Sequence, residues 1–63
     1  MGTNTVIIET SDNRFYRVTE PTDPDVAHLW HGFRVKKVRG QWVEAAKAQL
    51  TYVRKAATRV VEA

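Results

Sequence analysis

"EAAKAQLTYVRKAATRVV", residues 44–61, decides the fold. Two readings compete over it. Taken with the residue before it, apolar side chains recur at Val43, Ala46, Leu50, Val53, Ala57 and Val60, at spacings of 3, 4, 3, 4 and 3. That period is the stripe of an amphipathic helix. Ala45, Ala46, Ala48, Ala56 and Ala57 add intrinsic helix preference. Against the stripe stand "LTYV" and "TRVV", rich in β-branched residues, with "RKAA" between them; these read as two short strands. The periodicity favours a helix from about 44 to 61. A helix there would cover a sheet and make the chain α+β. Two strands there would make it a small all-β barrel.

Upstream, the chain reads as two hairpins joined by a short helix. "TVIIET", "SDN" and "RFYRVT" form the first hairpin, because Val, Ile, Tyr and Phe suit strands and Asp12 and Asn13 tolerate a left-handed turn. "FRVKKV", "RG" and "QWVE" form the second, with Gly40 supplying the positive φ of a tight loop. Between them, Asp23 reads as an N-cap, Pro24 as the first helical residue and Gly32 as the stop. Val26, Leu29 and Trp30 share one helical face, so a helix is expected over 24–31. The fold expected is therefore one antiparallel sheet of two hairpins linked by a short helix and covered by a C-terminal helix. Residues 1–63 form one small domain. Val6, Ile8, Tyr16, Val18, Phe33 and Val35 would face the covering helix. Ile7, Phe15, Arg17, Arg34 and Lys36 would face away.

Several functions find no support in the residues. The chain has no cysteine, which excludes a disulfide framework and a thiolate metal site and favours the cytoplasm. No run approaches the roughly 20 apolar residues of a membrane span, and the first residues lack the basic-then-apolar pattern of a signal peptide, so none is expected. Ser11 is the only serine and has no histidine close by in sequence. A chain of 63 residues has little volume for a water-excluding catalytic pocket, so no enzyme is expected. His28 and His31 stand three apart but lack a third ligand at a telling distance, so no metal is expected. The glycines are isolated and form no phosphate loop, and no cofactor is implied.

What the sequence does offer is charge. Residues 1–31 hold two basic and five acidic side chains, a net of −3; residues 32–63 hold eight basic and two acidic, a net of +6. The run "GFRVKKVRGQW", residues 32–42, holds four of the ten basic residues, with an aromatic near each end. Cations interleaved with aromatics suit nucleic acid, since bases stack on rings while Arg and Lys take phosphates. The expected site is a sheet face carrying Phe15, Arg17, Arg34 and Lys36, with Lys37, Arg39 and Trp42 near the end of the second hairpin. A second basic group, Lys47, Arg54, Lys55 and Arg59, would line a flank of the C-terminal helix. The function expected is a non-enzymatic module that binds DNA or RNA with weak sequence preference. The competing class is a small protein-interaction or regulatory module that docks an acidic partner or pairs as a homodimer.

Overall fold

A computed structural model describes residues 5–62. The chain is all-β. Its strands are β1 (Val6–Thr10), β2 (Phe15–Thr19), β3 (Leu29–Val38), β4 (Gln41–Glu44), β5 (Thr51–Arg54) and β6 (Thr58–Glu62). All pair antiparallel in one sheet of order β4-β3-β2-β1-β6, with β5 also on β3. Two single 3₁₀ turns, Pro24–Val26 and Lys55–Ala57, are the only helical pieces among the described residues. The α+β expectation fails with them: no linking helix and no covering helix forms.

The tail follows its β-branched residues and not its alanines. Residues 45–50 form a loop, which Ala45 N–H anchors by donating to the Arg34 carbonyl at 3.0 Å. β5 then pairs with the first half of β3, and β6 pairs with β1. A strand here satisfies two sheet edges at once. A helix would leave the outer backbone groups of β1 and of Leu29–Gly32 unpaired, and unpaired edges are costly. The helical stripe dissolves accordingly. Only Val53 packs against the core, while Leu50 is 51% exposed and Val60 52%.

The short helix is equally curtailed. Its start is as expected: Asp23 caps through its carboxylate, which accepts from Asp25 N–H at 2.9 Å, with Pro24 at the first position. It ends after one turn, and Leu29–His31 extend instead into β3. Gly32 is no helix stop but a mid-strand residue opposite Val18. A Cβ there would lie 2.6 Å from Val18 Cα and closer still to the Arg17 carbonyl. The β2 backbone therefore comes closer than any other residue type allows.

Both hairpin turns behave as their residues suggest. Asn13 takes φ 66, the left-handed position of a three-residue loop. Arg39 and Gly40 take φ 52 and 81 between the paired Val38 and Gln41, the signature of a type I′ turn.

Pairing of Gly32 with Val18 fixes which side chains share a face. On one face lie Val6, Ile8, Tyr16, Val18, Trp30, Arg34, Lys36, Val43 and Val53. On the other lie Ile7, Phe15, Arg17, His31, Phe33, Val35, Lys37, Trp42, Tyr52 and Arg54. Each face has its own small core. Ile8, Tyr16 and Val18 are buried on the first, with Val6, Trp30 and Val53 packed on them. Ile7 and Val35 are buried on the second. The sheet curls until Trp42 Nε1 at one end donates to Glu62 Oε2 at the other, at 2.7 Å. No β4–β6 ladder forms among the described residues, so the curl stays an open sheet and is not a closed barrel.

Candidate nucleic-acid interface

The second face collects most of the aromatic side chains. Phe15, Phe33, Trp42 and Tyr52, four of the chain's six aromatics, lie on it, with His31 beside Tyr52. Tyr16 and Trp30 serve the opposite core. Arg17, Lys37, Arg54 and Arg59 carry the cations of this face, and Glu9, Glu44 and Glu62 its carboxylates.

Two clusters divide it. At the β4 end, the Phe15 and Trp42 rings lie 5.1 Å apart, tilted by 44°. Lys37 Nζ sits 5.2 Å from the Trp42 ring centre and 3.9 Å from Glu62. Arg17 Nη2 donates to the Trp42 carbonyl at 3.0 Å, pinning β4 to β2 across β3. Arg59 forks onto Glu9 at 2.8 and 3.0 Å. This end is acidic as well as basic, and its rings and charges are largely partnered.

At the β5 end, Phe33 is 38% exposed and Tyr52 51%. Tyr52 stands directly across from His31, with ring centres 5.6 Å apart. Arg17 stands opposite Phe33, and Arg54 follows two residues after Tyr52 on the same face. Among the described residues, β5 brings no carboxylate to this part of the face, and Glu44, opposite Val35, borders Phe33 on the β4 side. His31 Nδ1 is the one buried side-chain nitrogen or oxygen without a hydrogen-bond partner among the described residues.

The structure brings together Phe15, Arg17, Lys37 and Trp42 of the expected site. It separates Arg34 and Lys36, which turn to the opposite face beside Tyr16 and Val43. Arg39 sits at the tip of the β3–β4 turn. The cause is one register step: Arg34, not Val35, stands opposite Tyr16. A slip of one residue moves every side chain of a strand to the other face. The second basic group is scattered too. Lys47 lies in the loop at φ 60, Arg54 on β5, and Arg59 on β6. Lys55 pairs with Glu20 at 2.7 Å and lies 4.8 Å from the Trp30 ring centre, while its N–H donates to the His28 carbonyl. Phe33, Tyr52, His31 and Arg54 were not part of the sequence-based site. The alternation of Tyr52 and Arg54 against Thr51 and Val53 was the signal that could have found the last of these strands.

Elsewhere the molecule offers little. A shallow open cleft between the β1–β2 turn and the second 3₁₀ turn is lined by Glu9, Thr10, Ser11, Asn13, Thr58 and Arg59, among others. Asp12 accepts from the Thr10 hydroxyl there, which holds its carboxyl below the usual range, with Arg14 at 3.2 Å adding to the effect. Of the two histidines, His28 precedes β3 and His31 lies within it. No group of three or more His, Cys, Asp or Glu side chains comes together to hold a metal among the described residues. No helix among them is long and apolar enough to cross a membrane. Comparison of the chain with protein-family models, with curated proteins and with solved structures gives no match.

Proposed function

We propose that the chain is a non-enzymatic binding module that takes nucleic acid on the aromatic face of its sheet. The observation that carries this is the register. It gathers Phe15, Phe33, Trp42 and Tyr52 with Arg17, Lys37 and Arg54 on one side. Rings on a sheet face present π surfaces to bases, and guanidinium and ammonium groups take the backbone. Phosphate contacts supply most of the affinity and carry no sequence information, so sequence preference is weak. The absence of cysteine supports a reducing compartment such as the cytoplasm. Arg34, Lys36 and Arg39, away from the rings, contribute at most outlying phosphate contacts.

Fluorescence anisotropy of labelled oligonucleotides across a salt series tests the reading. Two phosphates, held by Arg54 and by the remaining donors of Arg17, give a slope of log affinity against log salt of about −1.4 for single strands. Arg54→Ala should flatten it by about 0.7. Arg34→Ala should change it less than Arg54→Ala does. Absence of binding to any oligonucleotide at micromolar protein and low salt removes the nucleic-acid reading. Phe33, Leu50 and Tyr52, exposed apolar groups, would then mark the chain as a protein-docking module.

A further inference from the structure

We infer that the ligand is an unpaired strand, and that its bases stack on Phe33 and Tyr52 at the β3–β5 end of the face. This rests on the nucleic-acid reading above and narrows it. Stacking needs a ring with an open face. Trp42 has Phe15 at one approach, Lys37 at 5.2 Å from its ring centre, and its indole N–H fixed to Glu62. It is structural, and Phe15 is half-buried against it. Phe33 and Tyr52 remain, at 38% and 51% exposure. They are diagonal neighbours on adjacent strands, and such pairs lie about 7–8 Å apart at Cα. Two consecutive bases of a splayed strand can occupy two such rings.

Charge separates the two ends of the face in the same sense. Glu9, Glu44 and Glu62 all lie toward β1, β4 and β6, where they would repel a phosphate backbone. Arg17 and Arg54 flank Phe33 and Tyr52; among the described residues β5 carries no carboxylate, and Glu44 borders Phe33 only from the β4 side. Arg54 makes no ion pair among the described residues, so its donors are open to a phosphate. The buried, unpartnered Nδ1 of His31 lies in the same patch, against Tyr52. Unsatisfied polar atoms of this kind are rare, and here one belongs to a side chain beside an exposed ring.

A duplex cannot use this patch in the same way. Its bases are stacked on one another and show only their edges and phosphates. The inference therefore separates single strands from duplex, which phosphate contact alone does not.

The test compares a labelled 12-nucleotide single strand with the same sequence closed into a duplex, using the whole chain and variants at Tyr52 and Phe33. Tyr52→Phe keeps the ring and should bind as the unaltered chain does. Tyr52→Leu keeps apolar bulk but removes the π face, and should weaken the single strand about 5- to 150-fold with the salt slope unchanged. Phe33→Leu should act likewise, and duplex binding should be weaker at the outset. Amide spectra of each variant establish that it is folded. Equal affinity for duplex, or Leu variants that bind like the unaltered chain, overturns stacking and leaves a phosphate-only nucleic-acid binder. Failure of both ligands to bind overturns the nucleic-acid reading itself.

Discussion

Gly32→Ala should be among the most damaging single substitutions in the chain. The added Cβ would stand 2.6 Å from Val18 Cα and nearer still to the Arg17 carbonyl, whereas real Cβ contacts essentially never fall under 3.0 Å. Both obstructing atoms belong to the β2 backbone. No rotamer change relieves them; only a shift of β2 away from β3 does. That shift would loosen the central pairing and pull Val18, fully buried, out of its contacts with Ile8 and Tyr16. Overpacking commonly costs about 1–3 kcal/mol, and a backbone clash belongs at or above the upper end, so about 3 kcal/mol is expected. A domain of this length holds about 3–9 kcal/mol in total, so the loss takes a large share of its stability. At about 4–8 °C per kcal/mol the melting temperature should fall by about 12–24 °C. Urea and thermal unfolding followed by far-ultraviolet circular dichroism measure both quantities. A Gly32→Ala chain within 1 kcal/mol of the unaltered one would refute the close β2–β3 approach, and with it the register that builds the aromatic face.

The other stability predictions use the same assays. Ile8→Ala, at a fully buried position, should cost about 2–5 kcal/mol, whereas Leu50→Ala, in an exposed loop, should cost under about 0.5 kcal/mol. A helix over 44–61 would demand the reverse weight on Leu50, so a large loss there contradicts β5 and its loop. Gly40→Ala should cost about 1 kcal/mol because the turn holds φ at 81, and Arg39→Asn should add a few tenths of a kcal/mol by easing φ 52. Asp12 has its carboxyl lowered in the folded chain, chiefly by the Thr10 hydroxyl. Its contribution is therefore complete above the usual carboxyl range and is lost as pH falls through the lowered value. Asp12→Asn should remove that part of the acid dependence, and urea midpoints measured down the pH scale will show whether it does.

Much of the local structure was legible in the sequence. The two hairpins, their turns at Asn13 and Arg39-Gly40, and the Asp23-Pro24 cap all follow from short-range rules about φ, capping and strand preference. The tail was not legible, because its deciding partners are distant. Thr51–Arg54 is a strand because Leu29–Gly32 offers it an edge, and Thr58–Glu62 because β1 does. Alanines at helical spacing carry no information about those edges. The site was half legible for a related reason. Phe15, Arg17, Lys37 and Trp42 share a face as alternation within each strand allows. Arg34 and Lys36 leave it because Gly32, read as a helix stop, instead sets the pairing of β2 with β3. Phe33, expected on the buried side, shares the face of Arg17 for the same reason. Tyr52 and Arg54 were hidden by the helical reading of their strand.

On the proposed function, the aromatic face, and not the basic hairpin as such, meets the ligand. Amide chemical-shift mapping with a short single-stranded oligonucleotide at low salt tests it most directly. Shifts should concentrate at Arg17, Phe33, Tyr52 and Arg54, extend weakly toward Lys37, and stay small at Lys36 and around Ser11–Asn13. Shifts centred on the turn at Arg39 and on exposed Lys36 and Val43, with Tyr52 and Arg54 unmoved, would contradict it.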